Sequence, residues 1–114
     1  MSPSLSLTSE NLNVFGRRLR SARQRLGLAQ DKLGVLVGLD EHTASARISR
    51  YENGIHEPPV KTAKLLATAL GVPLAYLYCE DNRLADFILM ASKLSEDQWA
   101  HLDGFVRAIQ PSPT

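Results

Sequence analysis

The segment DEHTASARISRYENG, residues 40–54, carries the polar side chains best spaced for recognition chemistry. Ala44, Ile48 and Tyr51 stand at i, i+4 and i+7, which predicts one apolar stripe along a helix. The positions outside that stripe include hydroxyl and guanidinium groups, which can hydrogen-bond to phosphate oxygens and to base edges. These positions include Ser45, Ala46, Ser49 and Arg50. The segment therefore predicts a helix with one face suited to a nucleic acid.

No comparable pattern suggests an enzyme. The 3 histidines are widely separated and, together with Cys79, match no usual spacing of metal ligands. The sequence has no glycine-rich phosphate loop and no nucleophile elbow. Acidic pairs such as Glu80-Asp81 stand at a predicted helix joint, where capping and the helix dipole explain them. We expect no catalysis, no metal and no cofactor.

Length and composition fit one compact domain with its own core, with or without an appended oligomerisation element. The chain has 114 residues, of which 44% are hydrophobic and 22% charged, as in ordinary folded proteins. Residues 1–64 hold ten Lys or Arg against six Asp or Glu, whereas residues 65–114 hold three against six. This asymmetry suggests that a polyanion meets the first part of the chain.

The sequence suggests no membrane association. No apolar run approaches the roughly 18 to 20 residues that span a bilayer, and the start MSPSLSLTSE is unlike a signal peptide. Cys79 is the single cysteine, which suits a reducing compartment. We expect a cytoplasmic protein.

Helical periodicity runs through the whole chain and predicts an all-α fold. A first helix is predicted from the apolar spacing between Leu12 and Leu26, with Ser9 as N-cap and Gly27 as the stop. A second helix is expected from about Gln30 to Val37, and a third near residues 42–53, capped by Asp40. The other faces of the first helix carry five arginines, interpreted mainly as a solvated surface: Arg17, Arg18, Arg20, Arg23 and Arg25.

Four more helices are predicted after the Asn53-Gly54 stop. Pro59 and Pro73 introduce the fourth and fifth, and a joint at residues 79–82 precedes the sixth. Ser95 and Gln98 form a predicted capping box for the seventh. The expected inward-facing residues of the second, fourth and sixth helices include Leu36, Val60, Leu84, Phe87, Ile88 and Ala91.

Three motifs in order, RLRSARQRLGLAQDKLG, ISRYENG and ALGVPLAYLY, give the chain a family resemblance. From about residue 12 to 78 it resembles the helix-turn-helix domain of the phage repressor and Cro type, also called XRE-like. The resemblance implies a five-helix DNA-binding domain, here followed by two C-terminal helices. We accordingly divide the chain into a tail (1–8), a DNA-binding domain (9–79), a C-terminal dimerisation or capping segment (80–110) and a second tail (111–114).

The resemblance also implies roles for individual residues. Gln30 and Asn53 would contact the DNA backbone, and Ile48 would anchor the recognition helix in the core. Arg23 would pair with Glu52 as a structural link between the first and third helices. The residues implied to face bases in the major groove are Ser45, Ala46, Ser49 and Arg50. Independently of the resemblance, we expect Lys61 and Lys64 either to contact the DNA backbone or to stand as solvated surface charges.

One departure from the family pattern affects the recognition helix. Between Gly38 and Ile48 the chain has about four residues more than the usual family spacing. The extra residues either add a turn to the front of the helix or lengthen the connection before it. His42, Thr43 and Arg47 are therefore possible additional DNA contacts.

The C-terminal helices are expected to form a dimer or, alternatively, to cap their own domain. We predict a homodimer on an inverted-repeat operator in double-stranded DNA, acting as a transcriptional repressor. An antitoxin-type or protein-interaction module with the same fold stays open, with an unknown partner protein. The apolar stripe that would form the dimer contains Trp99, Leu102, Phe105, Val106 and Ile109.

Overall fold

The structure, a computed structural model, describes residues 13–112. Within this range the chain forms seven α-helices and no strand, so the predicted all-α fold is confirmed. None of these helices is long and apolar enough to cross a membrane. The helices are α1 (Val14–Arg25), α2 (Gln30–Leu36), α3 (Ala44–Glu52), α4 (Val60–Leu70), α5 (Leu74–Tyr78), α6 (Asn82–Ala91) and α7 (Glu96–Ile109).

Helix α1 begins where the side chain of Asn13 accepts a hydrogen bond from the Gly16 N–H at 3.2 Å. Ser9, the predicted N-cap, lies outside the described residues. The chain turns away from the helix at Gly27, which adopts a φ of 65° that favours glycine. Phe15 and Leu19 lie buried on the inner face of α1, in agreement with the predicted stripe, whereas Leu26 at the end of that stripe is exposed.

The connection before α3 is longer than the sequence interpretation favoured, and α3 itself is shorter. The predicted helix near 42–53 is observed as Ala44–Glu52, with Thr43 as its N-cap. Asp40 does not cap α3. Its carboxylate instead accepts a hydrogen bond from the His42 N–H at 2.8 Å and stabilises a turn outside the helix. The extra residues therefore lengthen the connection and do not extend the helix.

Helices α2 and α3 pack closely because small residues meet at their crossing. A Cβ added to Gly34 would lie 2.6 Å from the Cβ of Ala44, which leaves no room for a larger residue. Beyond this point Leu33 and Ile48 are both fully buried. The crossing thus holds α3 against the domain with its opposite face outward.

A single apolar cluster joins α1 to α6. Leu36 and Val60 were predicted to face inward but are exposed. Leu36 is the last residue of α2 and Val60 the first of α4, so both lie at helix ends outside the apolar cluster. The largest fully buried side chains are Leu19, Leu33, Ile48, Leu66 and Leu77.

Arg18 fixes the joint between α5 and α6. Its guanidinium donates hydrogen bonds to the carbonyl oxygens of Cys79 and Glu80, at 2.8 and 3.2 Å. It also donates to Oδ1 of Asn82 at 3.0 Å. Arg18 is only 8% exposed, so its interpretation as a solvated surface residue is wrong.

Helix α6 turns only part of the predicted stripe inward: Ala91 is buried and Ile88 packs against the apolar cluster. Ala85 and Leu89 are buried, whereas Leu84 and Phe87 are exposed. The capping box of α7 is confirmed, since Ser95 and Gln98 satisfy each other's backbone N–H groups. Helix α7 itself contributes no buried residue, so within the described chain its apolar face has little cover.

Candidate nucleic-acid interface

Helix α3 separates its buried anchors from an exposed polar face. Ala44 and Ile48 are fully buried, and Tyr51 is 6% exposed. Ser45 and Arg50 are exposed on the remaining surface. A helix held in this way can enter the major groove, which is about 12 Å wide and admits one α-helix.

The exposed face also includes Ala46, and Ser49 lies partly buried at its edge. The three possible additional contacts are exposed as well, with His42 and Thr43 in the turn before α3 and Arg47 in its first turn. This exposure makes the positions accessible.

Glu52, at the end of α3, is the centre of the hydrogen-bond network that positions this face. Its carboxylate is buried and accepts two hydrogen bonds from Arg23, at 2.6 and 3.1 Å. Arg23 also donates to the carbonyl oxygen of Leu28 at 2.9 Å. The pair joins α1, the loop before α2 and α3 into one unit.

The hydrogen bonds to Glu52 outweigh the effect of its burial on the acidity of the carboxyl group. Burial alone would raise the pKa of Glu52. Hydrogen bonds from Arg23 and Gln30, the positive charge of Arg23 and a hydrogen bond from Arg20 together hold the pKa below its ordinary value. The carboxylate is therefore charged at neutral pH and can hold all of its partners.

Gln30 lies at the first residue of α2 and bridges two parts of α3. Its Nε2 donates to Oε1 of Glu52 at 3.1 Å, and its Oε1 accepts a hydrogen bond from the Ser45 hydroxyl at 3.3 Å. This arrangement places the amide of Gln30 beside the first turn of α3. A backbone contact by Gln30 would thus lie next to the face that contains Ser45.

Asn53 is exposed just beyond the end of α3. Its Nδ2 donates to the carbonyl and the hydroxyl oxygens of Ser49, at 2.9 and 3.2 Å. Its Oδ1 accepts a hydrogen bond from Nη2 of Arg20 at 3.1 Å. The structure therefore brings Asn53 and Ser49 together, and adds an arginine that the sequence interpretation assigned to solvent.

Arg20 is the residue of this region that sequence reasoning missed. Its Nε also donates to Oε1 of Glu52, at 3.3 Å. The available signal was its i, i+3 spacing from Arg23, which places two cations on one side of α1. Lys61 lies exposed on α4, and no hydrogen bond joins it to the Glu52 network among residues 13–112.

Helix α7 carries a second surface of interest. Trp99, Phe105 and Ile109 are 44%, 64% and 62% exposed, and Leu102 and Val106 are partly exposed. Large apolar residues gathered on one helix face usually mark a contact surface. Among the described residues, no group of three or more His, Cys, Asp or Glu side chains could hold a metal ion.

Comparison with known proteins identifies similar chains. Residues 19–77 match a family model described as HTH_3, helix-turn-helix. The chain is 29% identical over 90 residues to the cryptic phage CTXphi transcriptional repressor RstR of Vibrio cholerae, covering 75% of this chain and 78% of that protein. It is also similar to the crystal structure of transcriptional regulator BswR, with a TM-score of 0.80 and 45% identity over 82% of this chain and 93% of that one.

Proposed function

Since this chain belongs to the helix-turn-helix family of DNA-binding transcriptional regulators, we propose that it is a repressor that reads the major groove of an operator as a homodimer. The observation that carries the proposal is the exposed polar face of α3 over a buried Ile48. In the helix-turn-helix mode of binding, such a face lies in the major groove and reads base edges. The similarity to a phage repressor supports the sign of regulation.

Within this proposal, Arg50 is the principal base reader. Its side chain is exposed, and no described residue holds it through a hydrogen bond or an ion pair. An arginine in the major groove donates two hydrogen bonds to O6 and N7 of guanine. Ser45, Ala46 and Ser49 flank it, and His42, Thr43 and Arg47 extend the contact surface towards the lengthened connection.

The contacts that position the protein on DNA come from the two ends of α3. Gln30 stands beside its first turn and Asn53 follows its last turn, so each would reach a phosphate on one side of the groove. Lys61 adds a further backbone contact from α4. These contacts fix the register of the recognition helix and carry no sequence information themselves.

The proposed dimer forms through the uncovered face of α7. The alternative, that this helix caps its own domain, is less favoured because α7 buries no residue against the rest of the described chain. Residues 9–79 then form the DNA-binding domain, and residues 80–110 the dimerisation segment. A twofold dimer would place two recognition helices about 34 Å apart, one turn of DNA, which suits an inverted repeat.

The test of DNA reading is selection of bound duplexes from random DNA, followed by binding measurements at fixed salt. Arg50→Ala should lose about 1 to 3 kcal/mol of binding and relax the preference at one base pair. Lys93→Ala is the matched control, since it removes one positive charge at an exposed site beyond the end of α6. If no duplex is enriched, or if Arg50→Ala and the control bind alike, the proposed reading is wrong.

The dimer is tested separately by sedimentation at micromolar concentration. We expect a wild-type dimer and a Phe105→Glu monomer, because a carboxylate in an apolar interface is strongly unfavourable. Ala100→Glu adds the same charge on the far side of α7 at helical spacing and should stay dimeric. A wild-type protein that is monomeric both free and on DNA would exclude the dimer.

A further inference from the structure

An open groove of about 340 Å³ lies between the outer face of α1 and the end of α3. The α1 side carries Arg17, Arg20, Ser21 and Gln24, which follow the spacing i, i+3, i+4 and i+7 of one helix face. Asn53 forms part of the opposite side. Every side chain that lines this α1–α3 groove is polar, so it suits a hydrophilic ligand.

Arg20 and Arg23 share Glu52 but differ in exposure. The side chain of Arg23 is 13% exposed, whereas that of Arg20 is 45% exposed. Arg23 also binds the carboxylate more closely, at 2.6 Å against 3.3 Å for Arg20. Arg23 therefore supplies most of the structural link, and Arg20 remains accessible from the groove.

Arg20 is held in place while most of its hydrogen-bonding capacity stays available. Its Nε donates to Glu52 and its Nη2 to Asn53, at 3.3 and 3.1 Å. A guanidinium has five N–H donors, and the others on Arg20 have no partner among residues 13–112. Because the side chain is already ordered, a new ligand would cost little rotamer entropy.

The α1–α3 groove also continues the surface proposed for the DNA backbone. Gln30 and Arg20 donate to the same oxygen, Oε1 of Glu52, so the two side chains flank one carboxylate. Asn53 is bonded directly to Arg20. Hydrogen bonds therefore connect the start of α2 to the end of α3 in one continuous chain: Gln30, Glu52, Arg20 and Asn53.

The charge of this region favours an anion. Two arginines, Arg20 and Arg23, pair with one carboxylate, so the cluster keeps a net positive charge after Glu52 is neutralised. A backbone phosphate of a duplex seated on α3 supplies acceptor oxygens for the remaining donors of Arg20.

We infer that the α1–α3 groove binds one phosphate of the DNA backbone, with Arg20 as the residue that donates to it. The inference rests on the proposed function. It extends the DNA contact surface from the helix-turn-helix onto α1. The contact acts on affinity and on salt dependence, and adds no base preference.

The test compares Arg20→Gln with the wild type on the duplex that the wild type selects from random DNA. Losing one phosphate contact should reduce the slope of log affinity against log salt by about 0.9, so between 50 and 200 mM salt the wild type should lose about 3.5-fold more affinity than the variant. Lys93→Gln removes the same charge outside the groove and should keep the wild-type slope. Equal slopes for Arg20→Gln and Lys93→Gln would overturn the inference.

A second arm locates the phosphate. Single phosphates of the selected duplex are replaced by neutral methylphosphonates, and each is measured with wild type and Arg20→Gln. One position should weaken the wild type and leave the variant unchanged, and this position should differ from the one coupled to Gln30→Ala. If no position shows such coupling, Arg20 acts only through its long-range electrostatic attraction to DNA, and the α1–α3 groove binds no phosphate.

Gln24 gives a variant that leaves the Glu52 network intact, for the case in which Arg20→Gln does not fold. Gln24 lines the groove. Gln24→Glu should weaken DNA binding because its carboxylate would repel the phosphate, and Gln24→Lys should strengthen binding because its ammonium would attract it. Opposite or absent effects would overturn the inference. If the wild type selects no duplex, the result counts against the proposed function itself. If it selects a duplex but the Arg20 and Gln24 variants give the negative results above, only the phosphate site in the groove is rejected.

Discussion

Replacing Glu52 by glutamine tests the network that holds the recognition helix. Glu52→Gln keeps the shape of the side chain but removes the charge that accepts hydrogen bonds from Arg20, Arg23 and Gln30. Breaking a buried pair by removing one charge typically costs about 3 to 5 kcal/mol. Because Arg20 is nearly half exposed and the amide oxygen still accepts one bond, we expect a loss of about 2 to 4 kcal/mol in the free energy of unfolding.

The same network predicts a pH dependence with a definite sign. The pKa of Glu52 is lower in the folded state than its ordinary value: burial acts to raise it, but the hydrogen bonds and charge supplied by Arg23, Gln30 and Arg20 outweigh that effect. The unfolded chain therefore binds the proton more readily, so the stabilisation is complete above the unfolded pKa and is lost as pH falls through the folded value. The difference between wild type and Glu52→Gln should shrink on acidification below about pH 4.3, the usual pKa of Glu.

Urea unfolding followed by circular dichroism at neutral and acidic pH measures both effects. Asp86→Asn is the control, since it neutralises an exposed carboxylate that makes no hydrogen bond or ion pair within the described residues. It should change stability by less than about 0.5 kcal/mol. A Glu52→Gln variant as stable as this control at pH 7, or a difference that does not narrow in acid, would refute the argument.

Substitutions at three further positions test the scaffold of α3 and the start of α7. Ile48→Ala should cost about 2 to 5 kcal/mol in unfolding free energy because it leaves a cavity at a fully buried position, while Ile48→Val should cost about 0.5 to 1.5. In urea unfolding, Gly34→Ala should cost about 1 to 3 kcal/mol, because its Cβ would meet Ala44 at 2.6 Å. An unchanged urea midpoint would mean that α2 and α3 can move apart at no cost. Ser95→Ala should cost about 1 kcal/mol, seen as faster amide exchange confined to α7, and unaltered exchange would show that the cap contributes nothing.

Sequence reasoning predicted the helices of this chain well where apolar spacing and stop residues agreed. Gly27, Gly38, Gly54 and Gly71 all adopt positive φ and follow helices that the spacing had predicted. The capping box of α7 was equally readable, because its two residue types and their spacing are specific. These signals are local, so a sequence suffices to find them.

The arginines of α1 show what could not be predicted. All look alike in a basic helix, yet Arg18 is buried against the joint before α6 and Arg25 donates to the Tyr76 hydroxyl at 2.8 Å. Arg20 instead reaches Glu52, the partner that the family resemblance had implied for Arg23 alone. Their partners lie about 30 to 60 residues away in the chain, and periodicity carries no information about such distant contacts. The inward face of α6 was predicted only in part for the same reason.

The network also determines which substitutions can report on DNA reading alone. Ser45 is bonded to Gln30, and Ser49 to Asn53, so changing either serine disturbs a candidate backbone contact as well as a candidate base contact. Arg50 and Ala46 have no side-chain hydrogen bond within residues 13–112. Removing the Arg50 side chain breaks no hydrogen bond that positions the two ends of α3. A change in base preference in Arg50→Ala must therefore come from the lost contact with DNA. The two serines can be interpreted only in double-mutant cycles with their partners.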